Sequence, residues 1–381
     1  MSHAMPYWRL SGFYFFYFAV LGALVPYWGL YLKSLGFGAA AIGNLTALFM
    51  LSRIVAPNVW AWVADHRESR MAVVRAAAFL TVATFAGVFV GTGFWWLAVA
   101  MLVFSFFWNA SLPLLEVFVM NHTARRPGAY AHVRLWGSIG FIVTVFALGP
   151  LIDARGPWWI LPSMVVLMAG IWLFSLTLPE TEMKGQAPHP EPLLRVILRP
   201  EVLLFLVACL LMQVSHGPYY TFYSIYLEAQ GYSKTLIGSL WAFAVLCEIG
   251  VFLLMPRILA EFAVRTVLVA SFALAALRWL LIGFFVQSLP VLVFAQVLHA
   301  ATFGSFHAAG IQTVYRFFTG RHQHRGQAIY STASFGIGGA IGSFYSGQTW
   351  EALGAATTFA LASVSAAVAV VVALRLPSAR T

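Results

Sequence analysis

Four charged side chains stand inside long apolar runs: Arg53, Glu116, Glu248 and Arg278. An ionisable group at membrane depth costs about 3 kcal/mol or more, so it faces a cavity or a partner rather than lipid. Such groups suit ligand anchoring, proton transfer or a gating ion pair. A buried structural ion pair accounts for them too, and Glu116 is near enough to a helix end to meet water. Arg134 lies at the edge of a run, where it serves either a ligand or as a membrane-surface anchor. An arginine fork matches a carboxylate with two parallel hydrogen bonds. His216, His299 and His307 also lie in apolar runs. A histidine titrates near neutral pH and can carry a proton, or it can stay neutral and bridge two helices. Gln213, His216, Tyr220 and Tyr223 recur at steps of three and four. They share one helical face, fit either to line a cavity or to pack as an aromatic stripe.

The elements that hold these groups follow from composition. The 381-residue chain is 61% hydrophobic and only 9% charged, far from the roughly 25% charged content of soluble domains. With about 20 apolar residues per crossing, the runs give spans at 7–32, 40–64, 71–91, 95–120, 133–153, 157–178, 201–228, 235–256, 266–286, 289–318, 326–350 and 354–375. The fold class is therefore an all-α membrane protein of twelve crossings. Residues 7–32 are too long and continuous for a cleaved leader and read as the first crossing. The polar, proline-containing stretch 179–200 reads as a cytoplasmic linker between six-helix bundles at 1–178 and 201–381.

Charge sets the expected orientation. The net charge is +10, yet it collects in loops, so membrane orientation explains it and nucleic acid is not an expected partner. With the N-terminus inside, seventeen of the 22 Lys and Arg fall on the inner side, against Lys33, Arg155 and Lys234 outside and Arg53 and Arg278 within spans. That is the positive-inside bias of a cell inner-membrane protein with both termini cytoplasmic. Cys209 and Cys247 lie in apolar spans and read as small buried hydrophobes. No two of the membrane histidines stand at i, i+4, and no phosphate-binding Gly-x-x-x-x-Gly-Lys-Ser/Thr occurs. No metal, no cofactor and no enzymatic nucleophile–base pair is expected.

An internal repeat joins the halves. YLKSLGFGAAAIGNL (31–45) and YLEAQGYSKTLIGSL (226–240) share Tyr, Leu, Gly, Ile, Gly and Leu at an offset of about half the chain. Each links the first two helices of its half, so the halves run parallel. The same offset pairs Arg53 with Glu248 and points both toward the interior.

Three further segments carry a resemblance. Residues 61–70, with Asp65, Arg67 and Arg70, resemble the major facilitator loop signature, although Ala61 replaces its usual Gly and Glu68 also departs from it. VRLWGSIG (133–140) and VLHA (297–300), taken with the repeat, are similar to the 3-phenylpropionic acid transporter group, relatives of lactose permease and nucleoside:proton symporters. The resemblance spans essentially the whole chain. It implies the major facilitator fold and proton-coupled uptake of an aromatic monocarboxylate by alternating access. It also implies a monomer among membrane lipids whose partners are a small molecule and protons. Proton-coupled efflux of hydrophobic compounds, or symport of sugars or nucleosides, fits the same plan.

The finer comparison with lactose permease maps its substrate-binding Glu and Arg onto Glu116 and Arg134. Its later Glu, Arg and His map onto Glu248, Arg278 and His299. Thr302 stands where its proton-carrying Glu should be, so that proton path does not carry over intact. Arg278, then Arg53 or Arg134, is the expected carboxylate anchor, with His216, Tyr220 and Tyr223 as walls. Glu248, Glu116 or His299 is the expected proton exchanger, and Asp65, Arg67 and Arg70 form the gating loop.

Overall fold

In the computed structural model, residues 6–67, 69–123, 129–180, 192–320 and 322–377 are described, and no strand occurs among them. The helices are α1 Tyr7–Ser34, α2 Ala39–Asp65, α3 Arg70–Phe85 with a 3-10 extension to Phe89, α4 Phe94–Thr123, α5 Ala129–Arg155 and α6 Pro157–Leu176. The second set is α7 Pro200–Ala229, α8 Lys234–Glu261, α9 Val264–Phe284, α10 Leu289–Phe317, α11 over 322–353 and α12 Ala355–Ala373. Of the expected linker 179–200, residues 181–191 lie outside the described residues, and a single helical turn, Leu193–Ile197, leads into α7.

Eleven of these helices are long and apolar enough to cross a membrane. At 1.5 Å per residue α11 is about 48 Å long, but Gln323, Gln327 and Gln348 and many glycines and serines lower its hydropathy. Two helices begin four residues before their apolar runs, α5 at Ala129 rather than 133 and α11 at 322 rather than 326, and the other starts agree within two residues. The expected single helix 201–228 is two segments, Pro200–Ser215 and Gly217–Ala229, meeting at His216. Pro218 causes the break, because it offers no N–H and its ring crowds the carbonyl four residues back.

Packing divides the chain into two units. Unit 1 holds residues 1–37, 51–184 and 232–242. Within it α1 packs on α5 and α6, and α3 packs on α4 and α6. Glycines allow this approach: a Cβ on Gly140 would stand 2.1 Å from the Phe15 carbonyl oxygen. Unit 2 holds residues 38–50, 185–231 and 243–381. Here α7 packs on α11 and α12, and α9 packs on α10 and α12. The contact pattern of unit 1 thus recurs in unit 2, six helices further on.

Four of the six residues of the sequence repeat have matching tasks. Gly36 and Gly231 take φ of 85° and 86°, a left-handed turn that ends a helix without steric cost only in glycine. Ile42, Leu45, Ile237 and Leu240 are buried. Gly43 and Gly238 let one backbone touch another: a Cβ would lie 2.6 Å from the Gly347 Cα and 2.6 Å from the Val145 carbonyl oxygen, respectively.

Gly140→Val is expected to cost about 1–3 kcal/mol by overpacking, whereas Gly250→Ala, where nothing lies within 4 Å of the added Cβ, gains up to about 1 kcal/mol of helix propensity. Thermal unfolding of the two variants followed by tryptophan fluorescence should therefore shift in opposite directions.

Candidate functional site

The chemistry collects in two clusters, one in each unit. In unit 2 the centre is Arg278 on α9, which is 0% exposed. Its Nε donates to the Ala295 carbonyl at 2.8 Å, Nη2 to Gln296 Oε1 at 3.2 Å and Nη1 to Thr302 Oγ1 at 3.3 Å. Its guanidinium carbon lies 4.1 Å from the Tyr219 ring centroid and 4.7 Å from that of Trp279. Every direction of the fork meets a neutral acceptor or an aromatic face. A buried cation survives only with such solvation.

Gln296, also 0% exposed, ties the neighbours together. Its Oε1 accepts from Tyr219 Oη at 2.9 Å as well as from Arg278, and its Nε2 donates to Tyr223 Oη at 2.6 Å. Three residues later His299 faces the Glu248 carboxylate, Nε2 to Oε2, at 3.6 Å. His216 stacks on Tyr220 with centroids 5.5 Å apart and meets the edge of Trp279 at 4.8 Å. The structure thus brings together His216, Tyr220, Tyr223, Glu248, Arg278 and His299. The break in α7 turns the expected stripe into a hub, with Nδ1 of His216 on the Met212 carbonyl at 2.8 Å.

Further along α10, His299, Phe303 and His307 form a ladder of parallel rings, 5.6 and 6.0 Å apart. The ladder runs through a π-helical segment, Ala300–Ser305. A second π segment, Thr332–Gly338, lies in α11. Wide turns of this kind are often found at functional sites.

In unit 1 the cluster forms on α1. The Arg134 guanidinium lies over the Phe18 ring at 3.9 Å, with Tyr14 at 5.8 Å. Tyr130 donates to Glu116 Oε1 at 3.4 Å, a long and weak bond. Tyr17 is within electrostatic reach of Arg53, Glu116 and Arg134 together, and its ring stacks on Trp108 at 4.8 Å. Arg53, Glu116 and Arg134 are all half-buried, and no carboxylate stands within ion-pair distance of Arg134 among the described residues.

The expected gating loop, Asp65, Arg67 and Arg70, spans the end of α2 and the start of α3 in unit 1. Arg67 is exposed, while Glu68 and the Asp65 side chain lie outside the described residues. The ordered ion pair at that end is Arg75 with Glu180, at 2.7 Å. Arg75 also donates to the Leu178 carbonyl at 2.6 Å, and Ser69 caps α3 and donates to Glu180. Sequence reading missed Glu180 because it sits at the edge of the polar linker. It also missed Gln296, Tyr219 and Trp279. A lone glutamine in an apolar run, three residues before a histidine, was the available signal.

A model of one family matches residues 7–361. The chain belongs to the MFS_1 like family. It is 28% identical over 366 residues to a probable 3-phenylpropionic acid transporter of Escherichia coli (strain K12), covering 94% of each chain. It is 26% identical over 336 residues to the maltose permease of Geobacillus stearothermophilus, covering 86% of this chain and 83% of that one. The fold is similar to that of the nucleoside transporter NupG, with a TM-score of 0.83, 19% identity and coverage of 98% of each chain. The major facilitator fold expected from the sequence is the fold of this chain. The protein is a multi-pass membrane protein and a secondary transporter of a small molecule, not an enzyme.

Arg278→Lys keeps the charge but replaces a planar fork by one ammonium group. Losing the matched donors to Ala295, Gln296 and Thr302 leaves buried acceptors unmet, each worth about 1–3 kcal/mol. The variant is expected to unfold at clearly lower temperature than the parent in detergent.

Proposed function

We propose that this transporter takes up a small aromatic carboxylate together with a proton, by alternating access across the cell inner membrane. One observation carries the choice of anchor. Arg134 rests on an aromatic face, half-buried, with Glu116 in electrostatic reach but no carboxylate within ion-pair distance among the described residues, whereas the fork of Arg278 is filled by the protein. A substrate carboxylate is the natural counter-ion for Arg134, and Tyr14, Tyr17, Phe18 and Trp108 supply rings for an aromatic body. Arg53 adds positive potential to the same cluster. Arg278 then serves as a fixed charge that shapes unit 2 rather than as the first contact.

The proton is assigned to Glu248 with His299, a carboxylate–imidazole pair at membrane depth. In this reading Glu116, hydrogen-bonded to Tyr130 and in electrostatic reach of Arg134, senses the substrate through Arg134. The similarity to the probable 3-phenylpropionic acid transporter over 94% of each chain supports the substrate class. The charge bias supports cytoplasmic termini, and nothing in the reading requires more than a monomer.

In proteoliposomes, labelled 3-phenylpropionate should accumulate when the outside is acidic, and maltose and nucleosides should not. Accumulation that ignores the pH gradient would sink the coupling. Arg134→Gln removes charged hydrogen bonds worth about 1.5–3 kcal/mol and should raise the half-saturation concentration by about ten- to a hundredfold.

Glu248→Gln is expected to abolish gradient-driven accumulation while sparing substrate counterflow, which needs no net proton movement. Loss of both activities would argue for a structural role instead.

A further inference from the structure

Two carboxylates at helix ends each hold the start of another helix. Asp153, in the last turn of α5, accepts from Lys234 N at 2.9 Å, from Thr235 N at 2.9 Å and from Thr235 Oγ1 at 2.7 Å. Ser233 Oγ takes the next free amide, that of Leu236, at 3.2 Å. The first three N–H groups of α8, which have no partner inside the helix, are therefore all satisfied, two of them by Asp153. Gly149, one turn earlier on α5, closes this joint, since a Cβ there would lie 2.8 Å from the Lys234 carbonyl oxygen. All of these residues belong to unit 1.

Unit 2 has the corresponding joint at the start of α2. Glu351, at the end of α11, accepts from Ala39 N at 2.7 Å. Gly38 precedes the helix and offers no side-chain cap; a Cβ there would stand 3.2 Å from Glu351 Oε1. Gly347, one turn earlier on α11, packs 2.9 Å from the Ala39 carbonyl oxygen by the same measure. Gln348 adds a 3.3 Å bond to Asn44. Ala39 and Lys234 are related by the offset of the sequence repeat, so both carboxylates sit on equivalent helix starts. Each negative charge also lies at the positive end of a helix dipole.

We propose that Asp153 and Glu351 are matched anionic clasps, and that the release and re-formation of the helix starts they hold is a step of the transport cycle. This rests on the alternating-access reading. Both carboxylates are exposed, so water replaces their bonds as a clasp opens, and release is reversible. The clasps are unequal: Asp153 takes three bonds against one for Glu351, and α8 has Ser233 where α2 has Gly38. The α8 start is held more firmly and depends more on its carboxylate. Asp153 and Glu351 act here as positioning residues that need never touch substrate.

The test uses the full chain with Cys209→Ala and Cys247→Ala, and one reporter at each joint. Val145→Cys reports on α8 and Ser343→Cys on α2; both positions are buried and abut Gly238 and Gly43. Labelling of the purified protein by a soluble maleimide is timed beside thermal unfolding. Asp153→Asn should speed Val145→Cys labelling by about fivefold, the scale of one helix cap. Glu351→Gln should speed Ser343→Cys labelling by less, and Asp153→Glu should return the rate toward the parent. Unchanged labelling in variants that melt with the parent overturns the clasps. If Asp153→Asn does not fold, Thr235→Val removes one of the three bonds and must give an intermediate rate, or the proposal fails. A parent that takes up 3-phenylpropionate in proteoliposomes but whose labelling ignores it overturns the clasps' place in the cycle, whereas a parent that takes up none overturns the transport reading.

Discussion

A positive charge that cannot leave organises the second unit. Arg278 sits on α9 with no exposure and must be solvated entirely by protein. Three acceptors come from α10: a backbone carbonyl, an amide and a hydroxyl. Two rings come from α7 and α9. The identity of Gln296 and the placement of Tyr219 read as conditions set by that guanidinium. Breaking any one leaves a charge or a dipole buried without a partner, which is far more costly than never having built the network. The acceptors are neutral, so the nearby carboxylate Glu248 remains available to His299.

The first unit meets a similar demand differently. Arg134 is half-buried and rests on the Phe18 ring with Tyr14 further off, both rings of α1. One cation is fully enclosed by protein groups and the other only partly so. The sequence repeat makes the two units alike in backbone plan, and the difference between them lies in how each arginine is solvated. That asymmetry supports assigning the substrate carboxylate to unit 1 and the exchangeable proton to unit 2.

Much of the plan was legible in the residues. Apolar runs gave the helices and their order, and the repeated Ile-Gly pair marked two close backbone approaches, at Gly43 and Gly238. The ionisable residues were found because charge at membrane depth is rare. Their partners were harder to find. Tyr219 is one ring among many aromatics, and only the turn at Pro218 swings it onto Arg278. Glu180 gains its meaning from Arg75, more than a hundred residues away. The residues of the Asp153 joint look like ordinary loop polarity until α5 and α8 are placed side by side. Contacts between helices depend on rotation and depth, which hydropathy does not encode.

The π segments in α10 and α11 add a geometric consequence. A π turn accommodates one residue more than an α turn, and each residue in an α-helix advances about 100° around the axis. The part of α10 before Ala300 and the part after Ser305 therefore keep separate angular registers. A helical wheel drawn across the whole helix misplaces one part by about a quarter turn. One stretch can aim Gln296 and His299 at the arginine while the other is aligned independently with its own neighbours. A single-residue deletion inside 300–305 would force the two registers into phase and turn one set of side chains away from its partners.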